Sequence, residues 1–327
     1  MTELRAPFPY FGGKARVAET VWSAFDPNVP NYVEPFYGTG AVLLGRPGGA
    51  GKIETINDLD CDVANFWRAI TVDAAAVALA ADWPVNEADL HALNGRLIAT
   101  RPEHRQRMHT DPDHFDAKRA GQWAWVMSTA IAGNAMSLKG AGATPRICGW
   151  VRGNGMHALP AVGTSGRGLH SLEAGALIEW FEALRDRLRR TRVCCGDWNR
   201  VLTGAVTGES NSLKNMGMSP CAVFLDPPYG AGSERPAGCY SEDSMDVAAE
   251  VRVWAIEHGD DPHFRIALCG YDGEHVMPAN WVEHAWKAQG GHGNRAAKNK
   301  NRHRERIYFS PHCLMIGQQQ SLFSIGS

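Results

Sequence analysis

The chain has 327 residues, 44% of them hydrophobic, which is enough for one large or two modest domains with real cores. Its 33 Lys and Arg residues against 35 Asp and Glu residues give a net charge of −2, so only the distribution of charge can indicate partners. The eight cysteines are scattered and form no C-x-x-C pair, which disfavours a metal site. The sequence has no signal region and no 18-residue apolar run, which predicts a soluble intracellular protein.

The first distinctive segment is aromatic and glycine-rich, Phe8–Lys14, and a helical pattern follows it through Phe25. Gly12 and Gly13 let the backbone approach a ligand closely and expose N–H groups, which attract an anion at a helix start. Lys14 adds a positive charge there. Taken alone, such a segment is more often a simple turn than a site.

A strand, a glycine-rich turn and a helix are predicted next, over Tyr32–Gly40 and the apolar residues that follow. This is the pattern of the first βα unit of a nucleotide-type sheet. The turn is neither G-x-G-x-x-G nor a P-loop, which disfavours a dehydrogenase and a P-loop nucleotidase. Because Glu34 precedes the turn, the segment suits a cationic ligand group such as an ammonium or a sulfonium.

The second predicted strand, Lys52–Asp58, also ends in an acid. Asp58 follows the glycine turn by about 20 residues, where such folds place a carboxylate on ribose hydroxyls. The alternative is a helix N-cap for the segment that begins near Cys61. Both can hold, since Asp60 could cap that helix equally well.

From Thr71 to Arg192 the alternation of strand and helix stops. Residues 72–98, 116–131 and 177–190 have helical patterns, whereas residues 132–168 are glycine-rich and irregular. No acidic residue occurs between Asp116 and Glu173, which favours a loop that follows a polyanionic backbone over a solvated loop without a partner. The basic residues of this stretch are Lys118, Arg119, Lys139, Arg146, Arg152 and Arg167.

Another strand tip with an acid and an aromatic residue is predicted at Val193–Trp198. In a nucleoside site, Asp197 and Trp198 would bond to and pack against an adenine. The alternative is a turn aspartate followed by a core tryptophan. Residues 203–219, rich in Gly, Ser and Asn, are predicted to be a polar linker.

Four apolar residues, Ala222–Leu225, then predict a buried strand of a parallel sheet. Pro227 and Pro228 cannot continue it, so Asp226 lies at the carboxyl end, where open α/β sheets bind ligands. The Asp226 carboxylate, the Pro227 carbonyl and the Tyr229 ring together suit a planar ring with an exocyclic NH2 group. The lone pair of such an amine is delocalised into the ring. Two acceptors that hydrogen-bond to the amine would help to make its nitrogen tetrahedral and so free the lone pair. The alternative is a strand that ends in a rigid turn.

The remaining segments complete the predicted sheet and add a second basic region. Residues 231–245 are predicted to form a lid loop, and Val247–His258 a helix, with strands at 264–269, 281–288 and 306–309. Between the last two strands, residues 292–306 carry six Lys or Arg residues against one Glu. This basic loop is a second candidate contact for phosphates.

The motifs, in chain order, are F-P-Y-F-G-G-K, E-P-F-Y-G-T-G, a strand-end acid, a long insertion, D-P-P-Y and R-E-R-I-Y-F-S-P. The order of the motifs resembles that of the Dam-like DNA adenine-N6 methyltransferases, most of all their phage and prophage members. The resemblance implies an S-adenosylmethionine-dependent enzyme that acts on double-stranded DNA. It also implies a Rossmann-like, doubly wound, mostly parallel α/β sheet. Residues 1–70 and 193–317 would form the catalytic domain, residues 71–192 an inserted target-recognition region, and residues 318–327 a tail.

The resemblance also implies roles for individual residues. The catalytic segment would be Asp226, Pro227, Pro228 and Tyr229. The cofactor would meet Tyr10, Phe11, Gly12, Gly13, Lys14, Glu34, Pro35, Phe36, Gly38, Thr39, Gly40, Asp58, Asp197 and Trp198. Among these, Lys14 with the backbone of Gly12 and Gly13 would hold the methionine carboxylate. The predicted contacts to DNA are Lys139, Arg146, Arg152, Arg167, Arg295, Lys298, Lys300 and Arg302.

Other activities fit the same residues. A planar NH2 group also occurs on cytosine N4, in RNA and in protein amides, and a DNA-binding module with a vestigial cofactor fold is a further alternative. The glycine-rich insertion does not resemble the helical recognition domain of the bacterial housekeeping enzymes, so the target sequence stays open. No nuclease motif is visible, which favours a stand-alone enzyme in the cytoplasm of a bacterial or phage-infected cell.

Overall fold

The computed structural model describes residues 4–8, 14–111, 113–129, 169, 175–229, 247–286 and 304–314. A seven-stranded sheet organises them, with the strand order β3-β2-β1-β4-β5-β7-β6. The strands are β1 Asn31–Glu34, β2 Ile53–Asp58, β3 Thr191–Cys195, β4 Cys221–Leu225, β5 Phe264–Tyr271, β6 Val282–Ala285 and β7 Glu305–Phe309. The first five strands in this order are parallel, and β7 is antiparallel to both of its neighbours, β5 and β6. The predicted doubly wound, mostly parallel α/β sheet is confirmed.

Ten helices flank the sheet in the described part of the chain. Their bounds are α1 Ala18–Phe25, α2 Ala41–Leu44, α3 Cys61–Ala81, α4 Glu87–Ala99, α5 Arg101–Thr110, α6 Ala117–Thr129, α7 Ala176–Leu188, α8 Gly204–Thr207, α9 Asn211–Leu213 and α10 Val247–Gly259. The longest, α3, is kinked at Asp73, where the backbone leaves helical angles. The Asp73 side chain accepts the Ala76 N–H at 3.0 Å and so caps the second half of the helix.

The core lies on both faces of the sheet, which explains the unbroken apolar run of β4. One hydrophobic cluster joins the sheet to α3, α6 and α7 and includes Phe66, Trp123 and Phe181. The other joins it to α10 and includes Val251 and Trp281. Because helices cover both faces, all five residues of β4 are buried.

Among the described helices, only α3 is long and apolar enough, by length and composition, to cross a membrane. More than half of its most apolar window is buried inside the fold. It packs mainly against α6 and α7, as the core helix of a folded domain does. Its first turns contain Asp62 and Asn65, both buried and hydrogen-bonded.

The strand order reverses between β1 and β4, which are neighbours in the centre of the sheet. Asn31, Tyr32 and Val33 pair in parallel with Cys221, Ala222 and Val223. In open α/β sheets, the carboxyl ends of two such strands diverge and leave a crevice for a ligand. The predicted E-P-F-Y-G-T-G and D-P-P-Y segments both begin at this crevice.

Residues 203–219 form short helical turns, so their prediction as a linker is wrong. They contain α8, α9 and a π-helical turn at Lys214–Met218. Asn31 of β1 donates to the carbonyl oxygens of Val206 and Thr207 at 2.9 Å each, which ties α8 to the sheet. Tertiary contacts of this kind override the weak helix propensity of Gly and Ser.

The inserted region of residues 71–192 stays a prediction as a unit of its own. Helix α3 crosses its first boundary, and Ala74, Val77 and Ala78 belong to the same cluster as Phe66. At its other end, Arg187 of α7 forms a buried ion pair with Glu54 of β2 at 2.7 Å. The described parts of the insertion therefore pack directly on the sheet.

Candidate active site

The candidate site begins where β4 ends. Leu225 is the last residue of the strand, and Pro227 and Pro228 follow Asp226 without continuing the ladder. Asp226 is partly exposed, whereas Pro227 and Tyr229 are buried. The predicted position of the acid at the carboxyl end of a central strand is thus observed.

Lys14 is the nearest charged partner of Asp226. Its Nζ lies 2.8 Å from Asp226 Oδ2, and only 5% of the Lys14 side chain is exposed. Burial lowers the pKa of Lys14, but the charge of Asp226, its hydrogen bond to Lys14 and the charge of Glu305 act in the opposite direction, so the pKa is raised and the ammonium stays charged. Burial raises the pKa of Asp226, and the Lys14 charge opposes that rise.

The Tyr229 side chain is held at both its hydroxyl and its ring. Its OH donates to Glu305 Oε2 at 2.7 Å, inside the protein. The ring meets the Tyr271 ring edge to face, with centroids 4.5 Å apart at 64°. The Lys14 ammonium lies 5.3 Å from the Tyr229 ring centroid, within the range of a cation–π contact.

Three residues that the sequence did not single out lie beside these side chains. Glu305 and Tyr271 contact Tyr229, and the Trp286 ring lies 5.8 Å from the Lys14 ammonium. The Trp286 Nε1–H is buried and has no hydrogen-bond partner among the described residues. Glu305 belongs to the segment that carried the family resemblance, which was the one available signal.

Glu34, the last residue of β1, is 2% exposed. The Tyr32 hydroxyl donates to Glu34 Oε2 at 2.7 Å. Burial raises the pKa of Glu34 well above its ordinary value, the Tyr32 bond lowers it, and the Asp226 charge raises it further. A raised pKa weakens a carboxyl as a counter-ion, and the role of Glu34 beside a cationic group stays a prediction.

Asp58 ties the glycine turn to the end of β2. Its Oδ2 accepts the Gly38 N–H and its Oδ1 accepts the Asp60 N–H, both at 2.9 Å. Burial and the Asp60 charge raise the pKa of Asp58 to about 7, although these two bonds oppose the rise. Asp60 caps α3 by accepting the Asp62 N–H, so the N-cap belongs to Asp60, and the ribose contact of Asp58 stays a prediction.

The turn itself depends on glycine at two positions. Gly38 and Gly40 have φ of 47° and 62°, and a Cβ at Gly40 would overlap the Tyr37 ring. Thr39 is partly exposed between them, and Pro35 is buried and accepts the Asn57 Nδ2–H at 3.0 Å. The backbone can therefore run close to a ligand here.

Asp197 and Trp198 lie at the same edge of the sheet as Asp58. Cys195 pairs with Asp58 in the β2–β3 ladder, and the Gly196 N–H donates to the Asp58 carbonyl at 3.1 Å. Asp197 is exposed, and the Trp198 ring stacks on Phe36 with centroids 6.3 Å apart at 24°. The predicted nucleoside residues are thus brought together around the ends of β1, β2 and β3.

Several predictions concern residues outside the described part of the chain. These are Tyr10, Phe11, Gly12, Gly13, Lys139, Arg146, Arg152, Arg167, Arg295, Lys298, Lys300, Arg302, the lid at 231–245 and the tail at 318–327. Of the selected cofactor and catalytic residues, the others are described and lie along the carboxyl ends of β1 to β4.

Within the described residues, one buried group has the spacing of a metal site: the donor atoms of Cys61, Asp62 and His104 lie within 4.8 Å of one another. Arg119 Nε and Arg101 Nε approach the two oxygens of Asp62 at 2.6 and 3.5 Å. Two guanidinium groups therefore already neutralise this carboxylate. We attribute the group to the packing of α3 against α5 and α6.

Residues 10–97 match the family model described as D12 class N6 adenine-specific DNA methyltransferase. No curated protein matches the chain. The matched stretch contains Lys14, the glycine turn and Asp58, and it ends before Asp226.

Proposed function

We propose that the chain is an N6 adenine-specific DNA methyltransferase that uses S-adenosylmethionine as its methyl donor and holds the target adenine at Asp226–Tyr229. The family match confirms the resemblance inferred from the motifs, and with it the enzymatic activity, the DNA substrate and the need for a methyl donor. Nothing favours cytosine N4, RNA, a protein amide or a non-catalytic module.

The observation that carries the site assignment is the position of Asp226 and Tyr229 at the reversal of strand order. A carboxylate, a backbone carbonyl and an aromatic side chain lie within four consecutive residues there, which supports binding of a flat ring with an exocyclic amine. The target adenine must leave the duplex stack to reach them, at a cost of roughly a few kcal/mol. Stacking on Tyr229 recovers part of this cost, since base–aromatic stacking contributes about 1–3 kcal/mol.

The residues along β1 to β3 fit the nucleoside half of the donor. Asp58 is partly exposed, and its two carboxylate oxygens, which each accept one backbone N–H, keep lone pairs for ribose hydroxyls. The Gly38–Gly40 turn lets the backbone approach a ligand. Phe36 and Trp198 offer partly buried aromatic faces beside the exposed carboxylate of Asp197. We assign the adenosine moiety to this edge of the sheet.

S-adenosylmethionine would supply an electrophilic methyl group, and its methyl C–S bond would break as the N6 nitrogen bonds to the methyl carbon, with S-adenosylhomocysteine as the leaving group. Asp226 and the Pro227 carbonyl accept hydrogen bonds from the amine and so direct its lone pair toward the methyl carbon. Much of the rate comes from this positioning. Once the nitrogen has been alkylated it is acidic, and its proton leaves to Asp226 or to solvent.

We further propose that residues 71–192 and the basic residues of 292–306 contact the DNA. Long-range attraction to phosphates would bring the duplex to the site, and base-specific contacts would come from the insertion. Residues 1–70 and 193–317 would then form the catalytic domain, with residues 318–327 as a tail. An intracellular location follows from a DNA substrate.

The decisive experiment is methyl transfer from labelled S-adenosylmethionine to unmethylated duplex DNA, followed by nucleoside analysis. We expect labelled N6-methyladenine and no labelled N4-methylcytosine. The same DNA methylated in advance by the enzyme and unlabelled donor serves as the control and should accept no label. Labelled N4-methylcytosine would overturn the base assignment, and donor binding without any labelled nucleoside would overturn the DNA substrate.

A further inference from the structure

A buried carboxyl, Glu305, holds the hydroxyl of the residue that the proposed function places against the target base. Glu305 Oε2 accepts the Tyr229 OH at 2.7 Å, and the two residues are 6% and 9% exposed. Burial raises the pKa of Glu305, while the Lys14 charge and the Tyr229 bond lower it. Because the surroundings exclude water, this bond is stronger than its surface counterpart.

The sheet fixes the acceptor rigidly. Glu305 is the first residue of β7 and lies directly opposite Tyr271 in the antiparallel β5–β7 ladder. Tyr271 in turn contacts the Tyr229 ring edge to face. One pair of facing residues therefore supplies two of the contacts that restrain Tyr229, beside the Lys14 ammonium over its ring.

These two contacts restrain different motions of the ring. The Tyr229 hydroxyl lies on the axis about which the ring rotates, so the bond to Glu305 fixes the direction of that axis. The edge contact with Tyr271 restricts rotation about it. Without the bond to Glu305, the ring can swing while still touching Tyr271.

We infer that Glu305 is a positioning residue that orients the Tyr229 ring to receive the flipped adenine. This inference rests on the proposed function and deepens it. Glu305 touches neither the base nor the methyl donor in this scheme, and its effect passes through the Tyr229 hydroxyl. It would act on base capture rather than on binding of the donor.

A second route from Glu305 to the reaction runs through Lys14. The Glu305 charge contributes to the raised pKa of Lys14, which pairs with Asp226. A glutamine separates the two routes because its amide oxygen still accepts the Tyr229 hydrogen bond but carries no charge. A phenylalanine at position 229 removes the donor and leaves the Glu305 charge, but it also removes the Tyr229 interaction with Asp226, so Glu305→Gln is the variant that separates the two routes.

The test first maps the target sequence by the labelled transfer above, and then places 2-aminopurine at the target adenine of a short duplex. Its fluorescence rises when the base unstacks into the protein. The variants are Tyr229→Phe, Glu305→Gln, Glu305→Ala and the double variant that combines Tyr229→Phe with Glu305→Ala. For each of them we would measure base capture, kcat, KM for DNA and the dissociation constant of the donor. Glu283→Gln on the neighbouring β6 is the control, because this exposed glutamate pairs only with Arg306, at 2.8 Å, among the described residues.

We expect Glu305→Ala and Tyr229→Phe to weaken base capture and to lower kcat/KM by about tenfold or more, the scale of a hydrogen bond to a charged group. Glu305→Gln should keep most of the wild-type base capture and kcat/KM. In the Tyr229→Phe background, Glu305→Ala should cause no further loss of either quantity. The affinity for the donor should stay unchanged in all four variants. If Glu305→Ala does not fold, as judged by its thermal transition, Glu305→Gln and Tyr229→Phe still carry the test.

Three outcomes would overturn the inference: wild-type base capture in both Glu305→Ala and Tyr229→Phe, a Glu305→Gln enzyme as impaired as a folded Glu305→Ala enzyme, or a full additional loss in the double variant. The last two would indicate that Glu305 acts through its charge. A wild-type enzyme that transfers no methyl group to DNA would instead contradict the proposed function.

Discussion

The ammonium of Lys14 lies 2.8 Å from the carboxylate of Asp226, although one precedes the first helix and the other follows the fourth strand. The proposed target amine would use the same carboxylate. The site therefore begins with Asp226 already charge-paired, and the amine either shares this carboxylate with Lys14 or replaces it. The pair links the predicted donor-binding segment directly to the predicted catalytic segment.

Replacing Asp226 tests the central assignment. We expect Asp226→Asn to lower kcat by about 10²–10⁴-fold, the range for a positioned proton acceptor, with donor affinity nearly unchanged. Asp272→Asn is the matched control, because its side chain is 57% exposed and pairs with Arg306 at 3.2 Å. Methyl-transfer assays give kcat for both variants, and titrations with the donor give its affinity. Wild-type turnover in Asp226→Asn would contradict the assignment of Asp226 as the acceptor for the target amine.

Removing the Lys14 charge should shift the pH dependence of the reaction. Lys14 lowers the pKa of both Asp226 and Glu305, so Lys14→Met should raise both. Since Asp226 acts as an acceptor when ionised, the acid limb of kcat/KM should move to higher pH. Lys52→Met, an exposed lysine whose Nζ donates to the Met216 carbonyl at 3.0 Å, is the control. An unmoved acid limb in Lys14→Met would contradict this coupling.

Donor binding should depend on pH through Asp58. Its pKa is raised to about 7, so the carboxyl is largely protonated at pH 6 and ionised at pH 8. The ionised form is the better acceptor for ribose hydroxyls, and affinity for S-adenosylmethionine should therefore rise from pH 6 to pH 8. Calorimetric titrations across this range measure it. Asp58→Asn should bind more weakly and lose the dependence, and a flat wild-type profile would argue against a ribose contact.

A methyl group at Gly40 should be far more disruptive than one at a comparable glycine. Both Gly40 and Gly48 have positive φ, but a Cβ at Gly40 would overlap the buried Tyr37 ring, whereas nothing lies within 4 Å at Gly48. Backbone strain costs about 1–2 kcal/mol at either position, and overpacking adds roughly 1–3 kcal/mol at Gly40 alone. Urea unfolding of the two alanine variants gives the difference, and equal losses would contradict the close fit of the turn.

DNA affinity should fall steeply with salt if the two basic segments contact phosphates. A plot of the logarithm of the DNA association constant against the logarithm of the salt concentration has a negative slope. This slope should become less steep by about 0.9 for each phosphate contact that is removed. Replacing Arg295, Lys298, Lys300 and Arg302 by alanine should therefore flatten the slope measurably. Lys52→Ala is the control, because this exposed lysine lies outside both segments and its Nζ donates to the Met216 carbonyl at 3.0 Å. An unchanged slope would exclude this segment from the interface.

The sequence by itself determined the segments at which the site is built. An apolar run closed by Pro227 and Pro228 predicts a buried strand with Asp226 at its end, because both proline rings stop the ladder locally. The glycine turn and the position of Asp58 at a strand end can likewise be predicted from a short stretch of sequence. The order of these motifs was enough to indicate the family, and residues 10–97 match it.

Only the tertiary structure decided which of these residues touch. β7 inserts between β5 and β6, and this brings Glu305 to Tyr229 across 76 positions of sequence. The same packing buries Lys14 against Asp226 and turns residues 203–219 into helical turns held by Asn31. Such contacts depend on strand order and burial, which no local pattern of residues encodes, and they set the charges and the aromatic geometry of the site.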